Sequence, residues 1–159
     1  MLAERADKIA IKYFRNKSLE IITKDDDSPV TMADTEIEKL IRKHITEVYP
    51  DHSIVGEEMD ERIGNSEYKW FIDPIDGTSS FISGKPLFTT LIALTRDKKT
   101  VISVISQPCL NEKFYSDGYK SYLNEKVIQT SNVTELDKAM LSTTSPVFFS
   151  KDELVKFTK

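Results

Sequence analysis

The apolar positions in the first fifty residues repeat at the spacing of two amphipathic helices. The first repeat lies in residues 2–14 and consists of Leu2, Ala6, Ile9, Ala10, Tyr13 and Phe14, with charged residues between them. A second repeat runs from Ile37 to Val48 and ends before Pro50. Thr31 precedes it and stands three residues before Asp34, which is the spacing of a capping box, so we expect the second helix to begin there.

Beyond Pro50 the apolar residues occur in short runs rich in β-branched and aromatic side chains, which are typical of strands. The runs are SIVG, KWFID, PLFTTLIALT, TVISVISQ and EKFYS, and RDKK between two of them predicts a hairpin turn. LEIIT at residues 19–23 predicts one earlier strand, YKSYLNEKVIQ predicts a weaker pair, and LSTTSPVFF predicts a late strand and turn. Ser150 and Glu153 form a second capping-box pattern, which predicts a last helix.

Composition narrows the classes of protein that fit. The chain has 159 residues, of which 39% are hydrophobic, as expected for a globular domain with a core. Its formal net charge of −4 argues against a nucleic-acid binder, since a phosphate backbone requires an excess of Lys and Arg. The sequence shows no membrane-length apolar run and no signal-peptide pattern, so we expect a cytoplasmic protein without a membrane partner. Cys109 is the single cysteine, and His52 is expected to face solvent in a turn.

Two aspartates stand three residues apart where an apolar run ends, in the stretch WFIDPIDGTSSF (70–81). The proline between them favours a sharp bend, which would aim Asp73, Asp76 and the carbonyl oxygen of Ile75 at one point. Carboxylate and carbonyl oxygens are the donors that Mg²⁺ prefers. Upstream, GEE (56–58) adds two more acids, and several acids held together repel one another unless a cation neutralises them.

The residues that follow these acids suit an anion. Gly77 lets an anion approach the backbone, and Thr78, Ser79 and Ser80 add hydroxyl groups and the free N–H groups of a turn or helix start. The tetrapeptide DPID by itself also fits an ordinary capped turn without any ligand, and that alternative stays open. With GEE upstream and GTSS downstream, the pattern favours a Mg²⁺ site with a phosphate-binding turn beside it.

Three segments resemble the inositol monophosphatase superfamily of Mg²⁺-dependent, lithium-sensitive phosphatases. They are SPVTMAD (28–34), VGEE (55–58) and WFIDPIDGTSSF (70–81), in the order and at the approximate spacing of that superfamily. Together with SPVTMAD, the segments FISGKPLFTTLIAL, QPCLNEKF and LSTTSP are most similar to its bacterial histidinol-phosphatase branch. The implied function is hydrolysis of a phosphate monoester, histidinol phosphate in the first place, with inositol 1-phosphate as the alternative.

The resemblance implies a ligand set for two or three Mg²⁺ ions. The implied metal ligands all offer a hard oxygen and are Glu57, Asp73, Asp76 and the carbonyl oxygen of Ile75. Among them Asp76 would bridge two ions, and Glu58 would lie behind the ligands. Lys24 corresponds to a loop lysine near the site of the family, although the neighbouring loop varies in length.

The resemblance also implies how the reaction proceeds, by in-line attack of a water molecule on the phosphorus without a phospho-enzyme. Asp34 and Thr78 would form a hydrogen-bonded pair that orients or deprotonates this water, and Glu57 would assist in catalysis. The phosphate of a small-molecule monoester would bind at Asp76 and at the N–H groups of Gly77 and Thr78.

The fold implied by the resemblance is a layered αβαβα arrangement that is larger than this chain. The chain corresponds to its first αβα half, an α+β or α/β layered sandwich with an antiparallel sheet and two N-terminal helices. We expect residues 1–137 to form the metal- and phosphate-binding αβ domain and residues 138–159 to begin a second, incomplete one. In such a truncated chain, one face of the sheet would expose apolar side chains.

The second half of the family fold would supply a further metal-binding aspartate next to Trp or Tyr, and the only tryptophan of this chain is Trp70. Three alternatives therefore stay open. The chain is a Mg²⁺-dependent phosphatase completed by another chain, as a homodimer or with a complementing C-terminal fragment. Alternatively, it is an inactive remnant, or a module that binds phosphate esters without hydrolysing them.

Overall fold

The computed structural model describes residues 2–23, 29–140, 142, 149–150, 152–153 and 155. Contacts divide the chain into two units, Met1–Ile128 and Gln129–Lys159. The described part of the second unit contains a 3-10 turn, Leu136–Lys138, and the predicted capping box between Ser150 and Glu153. Lys24 and most of the strand predicted at LSTTSPVFF lie outside the described residues. The domain boundary predicted after residue 137 stays a prediction.

The described part of the first unit contains three helices, α1 (Leu2–Tyr13), α2 (Met32–Val48) and α3 (Thr78–Ile82). Its strands are β1 (Ile21–Thr23), β2 (Pro29–Thr31), β3 (Ser53–Gly56), β4 (Tyr68–Asp76), β5 (Thr89–Arg96), β6 (Lys99–Gln107), β7 (Glu112–Ser116), β8 (Ser121–Leu123) and β9 (Lys126–Ile128). The weak pair predicted near YKSYLNEKVIQ is therefore present as β8 and β9. No described helix combines the length and the hydrophobicity that crossing a membrane requires.

Seven of these strands form one mixed sheet in the order in which they follow along the chain, from β3 to β9. The neighbours are antiparallel, as predicted, except that β3 runs parallel to β4 at one edge. The RDKK turn is a two-residue hairpin, with Asp97 and Lys98 at φ values of 48° and 66°. β1 and β2 form a separate antiparallel pair. β2 was missed because three residues are too few to show alternation.

Helices α1 and α2 cover one face of this sheet and form the core with it. The apolar side chains that meet there are Ala6, Ala10, Ile37, Ile41 and Ile45 from the helices and Ile54, Ile72 and Ile92 from the strands. Each buried Ile stabilises the fold by about 1.5–3 kcal/mol. The rings of Phe14, Phe81 and Phe88 lie within 4.8–5.7 Å of one another and join the end of α1 to α3.

The opposite face of the sheet also carries apolar side chains. Cross-strand pairing places Phe71 beside Ala93, and Leu91 beside Ile105, on this face, which we call the open face. The side chains of Phe71 and Ile105 are 42% and 44% exposed. The expectation of an exposed apolar sheet face is therefore confirmed for the first unit.

His52 was expected to face solvent, but the structure packs its ring against other rings. Its ring stacks between those of Tyr49 and Tyr68, with centroids 4.9 Å away on each side. Trp70 Nε1 donates a hydrogen bond of 3.0 Å to His52 Nδ1. Two of these partners come from β4, so the position of His52 depends on a contact that its neighbours in sequence do not indicate.

Candidate metal and phosphate site

A β-bulge at the end of β4 places the two aspartates of DPID on the same face of the sheet. Asp73 pairs with Leu91 of β5 and Asp76 pairs with Thr89, so three steps along β4 match two steps along β5. Residues three apart in a regular strand point to opposite faces, whereas cross-strand partners share a face and so do residues two apart. The one extra residue therefore turns both carboxylates to the open face.

Pro74 lies in this bulge and favours its formation. Proline has no N–H group to donate to a ladder and is found in sheets mainly at edges and bulges. Its own carbonyl oxygen is buried and accepts a hydrogen bond of 2.8 Å from Thr90 Oγ1. The sharp change of direction predicted from the sequence is thus present and is held by a buried hydroxyl on the neighbouring strand.

Glu57 comes to the same place from β3. Val55 pairs with Phe71 and Gly56 pairs with Ile72, so Glu57 is the next position of the chain and is level with Asp73. Because Val55 and Phe71 share a face, the position two residues beyond Val55 returns to the open face. The parallel pairing of β3 with β4 therefore brings the GEE loop to the end of β4 that carries the aspartates.

Asp73 lies in the middle of these acids. Burial is the largest cause that raises the pKa of Asp73, to about 8, and the charge of Glu57 and a hydrogen bond with it come next. The charges of Asp76 and Asp34 raise it further. Asp73 Oδ1 is buried and has no hydrogen-bond partner in the described structure. The charges of Glu57, Asp76 and Asp34 are therefore close enough to oppose the ionisation of Asp73.

Asp34 reaches this group from the first turn of α2. Its side chain is 1% exposed, and burial raises the pKa of Asp34 although the hydrogen bonds from Thr31 lower it. Thr31 donates to Asp34 Oδ2 from its backbone N–H at 2.9 Å and from its hydroxyl at 2.6 Å. The predicted capping box is therefore confirmed, and it fixes this carboxylate at the helix start.

The predicted hydrogen bond between Asp34 and Thr78 is not formed in the described structure. Thr78 Oγ1 instead donates to the carbonyl oxygen of Ile75 at 3.0 Å, because the short helix α3 turns its first residue back toward the bulge. Asp34 uses Oδ2 for the capping box. A carbonyl oxygen has two lone pairs, so Ile75 keeps a second position at which it accepts.

Gly77 is the N-cap residue of α3 and occupies a position that only glycine fits. Its φ is +89°, and a Cβ atom at this residue would lie 2.7 Å from the carbonyl oxygen of Leu87. Its own carbonyl accepts the N–H groups of Ser80 and Phe81 at 2.9 and 3.0 Å. The short helix expected after the acids is present, and phosphate binding at Gly77 and Thr78 stays a prediction.

The donor set fits one side of a Mg²⁺ site. Among the residues that the structure describes, no three His, Cys, Asp or Glu side chains are grouped closely enough to hold a metal ion by themselves. Mg²⁺ in proteins, however, often takes one or two carboxylates and completes its shell with water and substrate phosphate. Asp73 Oδ1 is buried, has no hydrogen-bond partner in the described structure and lies near other carboxylates whose charges repel its own. It is therefore an oxygen donor of the kind that such an ion requires.

Two residues that were not predicted from the sequence, Glu38 and Arg42, lie behind this site. Glu38 lies on the apolar stripe of α2 together with Ile41 and Ile45, and it is completely buried. An acid on a buried helix face, with an arginine four residues later, is the signal that would have indicated a buried ion pair.

Comparisons with known proteins show which family the chain resembles. The profile of the Inositol monophosphatase family matches residues 1–154. Bifunctional phosphatase IMPL2, chloroplastic, of Arabidopsis thaliana is 43% identical over 154 residues, which are 95% of this chain and 44% of that protein. A histidinol-phosphatase of Chlorobaculum parvum is 39% identical over 153 residues, which are 96% of this chain and 57% of that protein.

The fold is also similar to solved structures of inositol monophosphatases. The structure of an inositol monophosphatase from Zymomonas mobilis matches with a TM-score of 0.79 and 38% identity, and the match covers 99% of this chain and 60% of that one. The chain thus spans about half the length of the relatives it matches.

Proposed function

The chain belongs to the inositol monophosphatase family, and from that membership we propose that it provides the Mg²⁺- and phosphate-binding half of a phosphate monoester hydrolase. The observation that carries the proposal is the buried Asp73 oxygen without a hydrogen-bond partner. It lies among acids whose charges raise the pKa of Asp73, and a cation would remove that repulsion. The family consists of Mg²⁺-dependent phosphatases, which is the chemistry that such a group of acids supports.

A capped turn, the alternative for DPID, has a different hydrogen-bond pattern in this chain. Asp117 Oδ1 accepts the backbone N–H groups of Tyr119 and Lys120 at 2.9 and 2.8 Å. Those bonds lower the pKa of Asp117. Asp73 has the opposite environment, with an orphaned oxygen and a raised pKa, so the comparison within one chain favours a ligand over a cap.

Each site residue has a role in the proposal. Bound Mg²⁺ would lower the pKa of the attacking water and would stabilise the negative charge that develops on the leaving oxygen. The ligands would be Glu57, Asp73, Asp76 and the carbonyl oxygen of Ile75. Asp34, held by its capping box, would accept a proton from the water, and Thr78 would orient it. The N–H groups of Gly77 and Thr78 would hold the phosphate.

We propose histidinol phosphate as the substrate. Histidinol-phosphatases of Chlorobaculum parvum, Mycobacterium tuberculosis and Streptomyces coelicolor are 39%, 33% and 37% identical to this chain. Inositol 1-phosphate is the second candidate, because two inositol monophosphatases of Solanum lycopersicum are 37% and 34% identical. We propose that a second copy of the chain supplies the groups that would contact the alcohol, and that the protein acts in the cytoplasm.

The test is phosphate release from histidinol phosphate and from inositol 1-phosphate, with and without Mg²⁺. We expect Mg²⁺-dependent release that Asp73→Asn abolishes, with histidinol phosphate as the better substrate. Asp97→Asn is the matched control, since Asp97 lies in the β5–β6 hairpin at a positive φ that asparagine tolerates. This control should release phosphate like the unchanged chain.

Two results would contradict the proposal. Release by Asp73→Asn at the rate of the unchanged chain would show that the acids are not ligands. Absence of release from the folded chain with Mg²⁺ would contradict hydrolysis by this chain. In that case, binding of the two phosphate esters would indicate the non-catalytic module, and absence of binding would indicate the inactive remnant.

A further inference from the structure

A completely buried carboxylate lies behind the loop that carries Glu57. Glu38 of α2 is 0% exposed, and its Oε1 accepts a hydrogen bond of 2.7 Å from Arg42 Nε. Its Oε2 accepts the backbone N–H of Glu58 at 2.8 Å. Arg42 Nη2 in turn donates to the carbonyl oxygen of Met59 at 2.9 Å. The ion pair thus binds two consecutive residues of the loop through their backbone.

The residue before Glu57 is fixed by the same carboxylate. A Cβ atom on Gly56 would lie 2.0 Å from Glu38 Oε1 and 2.4 Å from its Cδ, so the end of β3 packs directly on this side chain. Any larger residue at position 56 would have to displace a buried charge. The backbone is therefore fixed on both sides of Glu57, by the close packing of Gly56 on Glu38 and by the hydrogen bond from Glu58 to Glu38.

Stability alone does not account for this ion pair. A buried pair of charges loses its hydration, and apolar residues of similar volume often stabilise a core as well or better. What the charges provide is direction, because a charged acceptor and a guanidinium donor bind backbone groups at defined positions. Here those backbone groups belong to the loop of one predicted metal ligand, and the side chains come from the helix that also carries Asp34.

We propose that Glu38 and Arg42 are positioning residues that fix the backbone on both sides of Glu57 and thereby aim its carboxylate at Asp73. The inference rests on the proposed function, because it takes Glu57 and Asp73 as ligands of one divalent cation. Partners behind metal ligands typically change metal affinity by about 10- to 100-fold when they are removed.

The test compares Glu38→Gln with Glu47→Gln in the 159-residue chain. Glu47 is a matched control because it lies on the same helix and also has a basic partner four residues away, Lys43, but both side chains are exposed. Calorimetric titration with Mn²⁺ alone should give an affinity about 10-fold or more weaker for Glu38→Gln. Glu47→Gln should bind Mn²⁺ like the unchanged chain.

Amide hydrogen exchange provides a readout that requires no metal. In Glu38→Gln the N–H of Glu58 should exchange faster, because its charged acceptor is lost, whereas the amides of β5 keep their rates. Arg42→Lys should also weaken Mn²⁺ binding, since lysine keeps the charge but has no second nitrogen for Met59. If Glu38→Gln does not fold, the double variant Glu38→Gln with Arg42→Met removes both charges together and takes its place.

Unchanged Mn²⁺ affinity in a folded Glu38→Gln variant would overturn the inference, even if its melting temperature fell, because it would leave only a structural role. Unchanged exchange at Glu58 would overturn it equally. Failure of the proposed function has another signature, namely that the unchanged chain does not bind Mn²⁺ or that Asp73→Asn binds it as well. The exchange comparison then still decides whether Glu38 fixes the backbone at Glu57.

Discussion

Acids of one residue type have opposite environments in this chain. Backbone N–H groups surround the carboxylate of Asp117 and lower its pKa, whereas burial and neighbouring acids raise the pKa of Asp73 to about 8. The difference arises from the contacts of each side chain: Asp73 lies within β4 at the bulge, among other acids, whereas Asp117 directly follows β7 and accepts N–H groups of its own turn. At the scale of single residues, an ionised Asp73 without a cation therefore costs the folded chain free energy.

That cost predicts how stability changes with pH. The pKa of Asp73 in the folded chain lies above its ordinary value of 3.8, so between these values the folded chain holds a proton that the unfolded chain has lost. The free energy of unfolding therefore decreases as the pH rises from about 4 to about 8. Asp73→Asn removes this contribution, and urea unfolding without divalent cations should show a flatter pH dependence for the variant. An equal or steeper decrease in the variant would contradict it.

Gly77 makes a second prediction at the residue scale. Gly77→Ala should destabilise the chain more than Gly84→Ala, although both glycines have positive φ, of +89° and +72°. An alanine at either position pays for the left-handed conformation with about 1–2 kcal/mol. Only at Gly77 does the new Cβ also meet a backbone atom, the carbonyl oxygen of Leu87 at 2.7 Å, whereas at Gly84 it meets the side chain of Arg15 at 3.5 Å.

Urea unfolding of the two variants measures this difference. Equal losses would show that the backbone at Leu87 moves aside and that position 77 does not require glycine for packing. In that case the close approach of Gly77 to the carbonyl oxygen of Leu87 would not be a requirement for the proposed phosphate site.

At the scale of elements, the start of α2 links stability to the site. Thr31→Ala should lower the free energy of unfolding by about 1–2 kcal/mol, because the N-cap hydroxyl accepts the N–H of Ala33 at 3.1 Å. It also removes the hydroxyl that donates to the buried carboxylate of Asp34. Thr31→Ser keeps the hydroxyl and should lose less. Thermal unfolding of both variants decides, and equal losses would show that the methyl group, not the cap, matters.

Most elements could be predicted from the sequence because their signals are local. The helical repeats, the capping box at Thr31 and the RDKK hairpin depend on neighbours within a few positions, and all are present. The remainder depends on distant pairing. The faces of Asp73 and Asp76 follow from the register with β5, and the stacking of His52 follows from rings on β4.

The site shows the same division. The acids and Gly77 could be read from the sequence together with the family resemblance, since each lies in a continuous motif. The hydrogen bond predicted between Asp34 and Thr78 is replaced by two local bonds, the capping-box bond of Thr31 with Asp34 and the bond from Thr78 Oγ1 to the carbonyl oxygen of Ile75. Glu38 has a local signal in the spacing to Arg42, whereas its bond with the backbone N–H of Glu58 depends on a loop 20 residues along the chain.

At the scale of the whole molecule, the exposed apolar side chains of the open face lead us to expect that copies of the chain associate. Contiguous exposed apolar side chains favour contact with another surface. Ile105→Glu on this face should reduce concentration-dependent association, measured by sedimentation velocity. Ile102→Glu is the matched control, because Ile102 is 50% exposed on the same strand but pairs with Leu94 on the helix-covered face. Equal effects of the two substitutions would contradict a specific role of the open face.

A metal site at the end of β4 is tested most directly by whether Mg²⁺ stabilises the folded chain through Asp73. At a concentration about 100 times its Kd, a ligand that binds only the folded state raises the free energy of unfolding by about 2.7 kcal/mol. We expect urea unfolding to show this gain for the unchanged chain and for Asp97→Asn, and no gain for Asp73→Asn. An equal gain in Asp73→Asn, or none in the unchanged chain, would contradict a metal site at the end of β4.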